Sequence, residues 1–289
     1  MYLDRLSHRL RGSALLAVAA LMIAAPASPA GAAPPEEPPA TSWYLSLGDS
    51  FAAGEQTGGT ADLTGGFAGR VLTSLQAENS KVKLANLGCV GGETTTTFTD
   101  GGICSYDEGS QLDQAVVFLR AHARTTRLVT LSLGGNNVQR CADRTTGQID
   151  LVCVQQGMVR LAQELPAIVR TLRAAAPGVE IIVANYYNPF LASWFVPVTG
   201  PAQAQASATL QTQINALIAG SASAGQAEVA DVATEFRSLD WTPLPNGVPT
   251  NVALICTHTY MCVPGARPNI HPNDAGYARI ATAIQARVG

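Results

Sequence analysis

A serine, a histidine and a set of turn glycines and amides are the residues of this chain whose types suit one reaction, attack by an activated hydroxyl on an acyl carbon. Ser50 lies just beyond the apolar run Trp43–Leu47, in the tripeptide Gly48-Asp49-Ser50. A serine hydroxyl is a weak nucleophile until a base takes its proton, and histidine has the unperturbed pKa for that role near neutrality. Three histidines follow the first 32 residues. His122 ends a helical pattern, where a solvent-facing or capping role fits. His258 lies between two close cysteines, where a structural role fits better than a catalytic one. His271 precedes Pro272, which restricts its backbone and keeps it out of the following helix, so it is the best base. The charge that develops on the attacked oxygen needs donors fixed in advance. Glycine turns at Gly88–Glu93 and Gly134–Asn137 can bring backbone N–H groups close, and Asn136 adds a side-chain amide. Taken singly, each of these is ordinary turn chemistry. A Gly-Asp-Ser arises by chance in roughly one chain of this length in ten, so the meaning lies in whether one fold gathers them.

The hydrophobic pattern supplies such a fold. Trp43–Leu47 reads as a strand ending at Gly48, and Phe67–Gln76 places Phe67, Val71, Leu72 and Leu75 at helical spacing. Val82–Leu87 is a second strand, Gln111–Arg124 a helix, and Leu128–Leu133 a third strand stopped by Gly134-Gly135-Asn136-Asn137. The Val154–Ala176 region is helical by pattern, with Pro166 expected to kink it or start a new helix. Val179–Val183, Pro201–Ala219, Glu228–Val232 and Asp274–Val288 follow as strand, helix, weak strand and helix. This alternation predicts an α/β fold of right-handed parallel βαβ units with helices on both faces. All strand C-termini then share one edge, the place where such sheets bind ligands. The aromatic loop after the fourth strand emerges there too, and Tyr186 and Trp194 are its expected substrate-contacting residues. The segment Phe236–His271, long and weakly periodic, is expected to be functional. No Gly-x-Ser-x-Gly elbow occurs, which disfavours the α/β-hydrolase fold.

Bulk properties narrow the function further. With 289 residues, 47% hydrophobic and 13% charged, the chain can bury a full core, and we expect one domain over residues 41–289. Residues 1–32 read as a secretory signal: Arg5, Arg9 and Arg11 precede the apolar run Ala14–Ala25, and Ala30-Gly31-Ala32 suits cleavage. The run is shorter than the roughly 20 residues of a spanning helix, so no stable membrane anchor is expected. Residues 33–40, rich in Pro and Glu, read as a linker. Loss of the signal takes the net charge from −3 to about −5 and leaves no basic stripe, which argues against nucleic acid as a partner. Six cysteines in an exported chain favour three disulfides, and pairing in sequence order closes three short loops: Cys89–Cys104, Cys141–Cys153 and Cys256–Cys262. Zinc at Cys256, His258 and Cys262 is disfavoured because no fourth ligand is evident.

Gly48-Asp49-Ser50 after strand one, a glycine block after strand two, Gly134-Gly135-Asn136 after strand three and His271-Pro272 near the C-terminus resemble, in this order, the SGNH hydrolases, also called GDSL lipases and esterases. The resemblance runs from Trp43 to the C-terminus. The stretches around Cys89 and Asn185–Phe190 are similar to secreted actinobacterial members. It implies a three-layer flavodoxin-like sandwich, strand order 2-1-3-4-5, and ester hydrolysis through an acyl-serine without metal or organic cofactor. Ser50 resembles the nucleophile and His271 the base, with Ser50, Gly92 and Asn136 as oxyanion donors. Two positions depart from the family pattern. Asn137 stands where block three often has Asp, and Pro268 stands where an acid usually precedes the histidine by three. A Ser50–His271 dyad is therefore expected, with the Pro268 backbone carbonyl orienting the ring; Asp274 fits a helix start better. The expected product is a secreted, monomeric esterase or lipase acting on small-molecule or lipid esters. A polysaccharide O-deacetylase or thioesterase of the same fold is the alternative, and a non-catalytic binding protein the alternative from another class.

Overall fold

The computed structural model describes residues 41–289. The expected signal segment and linker lie outside the described residues. In chain order the elements are β1 (Ser42–Gly48), α1 (Gly66–Glu78), β2 (Val82–Asn86), α2 (Thr95–Asp100), α3 (Gln111–His122), β3 (Thr126–Ser132), α4 (Asn136–Gln139), α5 (Leu151–Ala175), β4 (Glu180–Ala184), a 3-10 helix at Pro189–Phe195, α6 (Gly200–Ala224), β5 (Glu228–Ala230), α7 (Val232–Glu235), α8 (Thr250–His258) and α9 (Asp274–Gln285). The strands form one parallel sheet in the order β2-β1-β3-β4-β5, as the resemblance implied.

That order makes β1 the pivot. The chain leaves β1 toward one edge and returns past it to β3, so the gap between the C-terminal ends of β1 and β3 is the switch point of the sheet. Being central, β1 is covered on both faces: Tyr44, Leu45 and Leu47 are fully buried, as are Leu128, Val129 and Leu131 of β3. Each such aliphatic side chain stabilises the fold by about 1.5–3 kcal/mol. The helix α1 packs on α9, while α5 packs on α3, α4 and α6, the two-sided cover that right-handed crossovers produce.

Two elements differ from expectation. The α5 helix runs without a break through Pro166, because its apolar stripe of Val154, Leu161, Leu165, Ile168, Val169 and Leu172 is buried along its length. Packing of that extent outweighs the roughly 3 kcal/mol cost of an interior proline. The weakly periodic segment after Phe236 is also not one loop. It contains α8 and then a short antiparallel pairing in which Thr259 bridges Pro272, and Tyr260 N–H donates to the His271 carbonyl at 3.1 Å.

Candidate active site

The end of β1 is knitted to both neighbouring strands before the serine is reached. Asp49 N–H donates to the Ser132 carbonyl at 2.8 Å, and Cys89 N–H to the Gly48 carbonyl at 3.0 Å. Gln111, the first residue of α3, clamps Gly48 from both sides: its Oε1 accepts from Gly48 N–H at 2.6 Å and its Nε2 donates to the Gly48 carbonyl at 3.0 Å. Gly48 has φ +124°, and a Cβ there would meet the Ser132 carbonyl oxygen, so only glycine lets β1 and β3 close up at this point. The Asp49 carboxylate turns inward. It accepts from Tyr186 OH at 2.6 Å, Phe51 N–H at 3.0 Å and Ser132 Oγ at 3.2 Å. Burial pushes this carboxyl up to about 6, with those hydrogen bonds opposing the shift.

Ser50, 6% exposed, follows in a tight turn. Its Oγ lies 2.9 Å from His271 Nε2. The structure thus brings together the two residues that sequence types had singled out, 221 positions apart. His271 is 8% exposed, and Phe51 meets its ring edge-on at 6.0 Å. Burial first, and the positive charge of Arg144 second, push the imidazole down to about 4.

The group that orients the imidazole is not the Pro268 carbonyl. His271 Nδ1 lies 2.6 Å from Asn269 Oδ1, and the same oxygen accepts the His271 backbone N–H at 2.9 Å. This is an Asx turn extended onto the ring: an Asn side chain naturally bonds the backbone N–H two residues on, and here it collects the Nδ1–H as well. Asn269 Nδ2 donates to the Gln56 carbonyl at 3.1 Å, so the amide oxygen must face the histidine. The ring therefore carries its proton on Nδ1, leaving the Nε2 lone pair for Ser50. Asp274 is exposed and accepts from Gln56 Nε2 at 2.9 Å, away from the ring.

The segment that carries His271 is tied down by few bonds. Tyr187 OH donates to the Ile270 carbonyl at 2.5 Å, Asn269 N–H to Tyr260 at 3.2 Å, and Asn273 N–H to His258 at 3.0 Å. The Cys256–Cys262 bridge closes the opposing strand of this pairing. All three disulfides follow the sequential pairing, with Cα separations of 5.9, 5.5 and 4.9 Å for Cys89–Cys104, Cys141–Cys153 and Cys256–Cys262. The other two histidines are occupied elsewhere: His122 packs on Trp43 and Phe118, and His258 Nδ1 faces Thr257 Oγ1 and the Leu254 carbonyl.

On the donor side, Asn136 Nδ2 bonds the Glu93 carbonyl at 3.0 Å, which joins the turns after β2 and β3. That amide nitrogen has a second N–H to offer. Gly91 and Gly92 both have positive φ, near +96° and +94°. A Cβ at Gly91 would touch Ile103, whereas one at Gly92 would face open space. Asn137, in place of the family's frequent Asp, pairs with Thr95: its Oδ1 accepts from Thr95 N–H at 3.1 Å and its Nδ2 donates to Thr95 Oγ1 at 2.7 Å. Glu93 itself is buried, and burial pushes its carboxyl up to about 7.

Tyr186 is not a wall of the substrate cleft. It is 1% exposed, beneath Gly135 and bonded to Asp49, so it supports the nucleophile's turn instead. Trp194 is half-buried in the 3-10 helix and faces Trp241 at 6.2 Å. Beyond the expected residues, the structure adds Asn269, Gln111 and Glu55, whose Oε2 lies 3.4 Å from His271 Nε2.

A family model described as "GDSL-like Lipase/Acylhydrolase family" matches residues 46–279. Among curated proteins none matches in sequence. Several solved structures share the fold. A phospholipase A1 from Streptomyces albidoflavus is 18% identical with a TM-score of 0.54, over 86% of this chain and 100% of that one. An extracellular lipase from Streptomyces rimosus is 18% identical with a TM-score of 0.55, over 85% and 99%. A lipase from a goat rumen metagenome is 16% identical with a TM-score of 0.54, over 86% and 99%.

Proposed function

Because the chain belongs to the GDSL-like lipase/acylhydrolase family and is a carboxylic ester hydrolase, we propose that it is a secreted esterase or lipase that works through an acyl-serine intermediate on Ser50. One observation carries the mechanism: the 2.9 Å approach of Ser50 Oγ to a histidine nitrogen whose partner nitrogen donates its N–H to the Asn269 amide oxygen. As Ser50 Oγ attacks the ester carbon, its proton passes to His271 Nε2. The carbonyl oxygen becomes an oxyanion, received by the N–H groups of Ser50 and Gly92 and by Asn136 Nδ2. Collapse of the tetrahedral intermediate breaks the bond to the leaving alkoxide, which takes the proton from Nε2. Water then repeats the sequence on the acyl-serine and releases the acid. Because the base pKa is depressed, the imidazole is in its neutral, working form throughout the neutral range.

Secretion is supported by the basic-then-apolar order of residues 1–32 and by three disulfides in the described residues. Among those residues no helix is long and apolar enough to cross a membrane. We read Trp194, on the 3-10 helix that follows β4, as lining the acyl side of the cleft; its position after a strand end that points to the active edge supports that reading. Hydrolysis of a series of nitrophenyl acyl esters from acetyl to palmitoyl tests this reading. Wild type should turn over esters, and Ser50→Ala and His271→Ala should each lose about four orders of magnitude in kcat. Activity confined to acetylated sugars, or variants as active as wild type, would overturn it.

A further inference from the structure

Glu55 lies in the turn that receives β1, five residues after the nucleophile, and its backbone N–H donates to the Ser50 carbonyl at 2.9 Å. Its own carbonyl accepts from Tyr277 OH of α9 at 2.5 Å, which fixes the main chain from the other side. The side chain is 10% exposed. Its Oε2 stands 3.4 Å from His271 Nε2, the nitrogen that also faces Ser50 Oγ. Among the described residues, His271 is the one polar partner of this carboxylate at contact distance. Burying a carboxylate is costly unless something near it becomes cationic. Beyond the standing charge of Arg144, the group that becomes cationic here is the imidazole at the moment it takes the serine proton.

At Nδ1 the structure provides only a neutral amide oxygen. Asn269 fixes the tautomer and the ring angle but brings no charge to offset an imidazolium. We propose that Glu55 is the charge partner of His271, stabilising the imidazolium from the Nε2 side while Asn269 orients the ring from the Nδ1 side. Glu55 is a positioning residue in this scheme and never holds the transferred proton. That proton moves from Ser50 Oγ to Nε2 and on to the leaving oxygen, and the carboxylate stays ionised beside it. The charged and titratable groups gathered there are His271, Arg144 from the loop closed by Cys141–Cys153, Tyr277 from α9, Tyr260, and Asp49 and Asp62 flanking the turn. Arg144 opposes the rise that burial imposes on Glu55, and the same cation disfavours a charged His271, which leaves Glu55 as the group that compensates. The division of labour rests on the serine-esterase reading above, but the pairing itself can be measured without substrate.

The experiment is an NMR titration of the His271 ring carbon between its nitrogens, in wild type, Glu55→Gln and Glu55→Asp, with His271→Ala assigning the signal. Glu55→Gln should lower the His271 pKa by about one unit, a tenfold loss of basicity. The acid limb of the kcat/KM profile should move down with it, and the plateau rate should fall about tenfold to a hundredfold. Glu55→Asp should fall between. An unmoved or raised His271 titration in Glu55→Gln overturns the proposal even if the rate falls, because a purely structural role would not set the sign of the shift. Should Glu55→Gln fail to fold, Glu55→Ala decides in the same way, since it too removes the charge: a lowered value supports the pairing and an unmoved one overturns it. Failure of the esterase reading shows separately, as absent ester turnover by wild type, and leaves the titration to judge the pairing.

Discussion

The nucleophile and its base are held by two regions built on different principles. Around Ser50, position is a property of the sheet: Asp49, Gly48 and Cys89 are bonded across β1, β2 and β3, and Gln111, Tyr186 and Ser132 fill in the side-chain bonds, all in buried surroundings. Around His271, position is a property of a local pairing. A short antiparallel contact, one Asx turn, the Tyr187 hydroxyl and the Cys256–Cys262 bridge hold it. The difference teaches where each kind of damage should register. Perturbing the serine's support should cost the fold first, and perturbing the histidine's support should cost the rate first.

The largest effect should come from the sheet side. Asp49→Ala removes three hydrogen bonds from a buried carboxylate and leaves Tyr186 OH without its strongest acceptor. We expect a loss of about 3–4 kcal/mol in denaturant unfolding. Full stability with activity alone lost would break the comparison. Next, Asn269→Ala should lower kcat about a hundredfold, near 2.7 kcal/mol, by freeing the imidazole tautomer. Its unfolding free energy should change by less than about 1 kcal/mol, and steady-state kinetics beside denaturation curves would show both.

A smaller effect belongs to the staple. Replacing Cys256 and Cys262 together by Ser should cost about 2 kcal/mol by chain entropy. The sharper readout is local: amide exchange at Tyr260 and Asn269 should accelerate while that of the β1 and β3 amides stays slow. Uniform acceleration would mean that the histidine segment is part of the cooperative core. The smallest effect is a pH dependence. Folding raises the Glu93 carboxyl to about 7, so the folded chain holds that proton more tightly than the unfolded one. Its contribution to stability is full below about 4.3 and is lost as pH rises toward 7. His271 acts in the opposite sense, since its pKa falls to about 4 on folding and stability gains between about 4 and 6.5. Glu93→Gln should therefore remove a pH-dependent loss of stability worth about 1 kcal/mol between pH 6 and 7, read as the difference between variant and wild type. A stability difference between Glu93→Gln and wild type that stays constant with pH would show that Glu93 is not held protonated by burial.

The same contrast explains what could be read from the sequence. Strand ends, glycine turns and the sheet edge are periodic or punctuated features, so the parallel βαβ class and its active edge are legible in them, whereas the strand order and the pairing of Ser50 with His271 are what the family resemblance implies. The sequential disulfides were legible from short spacings. Tyr186 was misread because periodicity shows that a post-strand aromatic lies at the active edge but not whether it points out or down. Asn269 is not singled out by the family pattern, which points to a carboxylate three residues before the histidine. The usable signal was the Asn two residues before it, an Asx-turn position. Glu55 gave no signal at all, since its meaning depends on contact with a residue 216 positions away. The short helix α8 was hidden inside a segment whose weak periodicity reads as loop.

The central claim is that Ser50 is a nucleophile activated by His271. Incubation with a fluorophosphonate probe, followed by mass spectrometry of the digested protein, tests it directly. The account predicts one adduct per wild-type chain, on the peptide containing Ser50, no adduct in Ser50→Ala and a greatly slowed reaction in His271→Ala. An unlabelled wild type, or an adduct on any other residue, would contradict it.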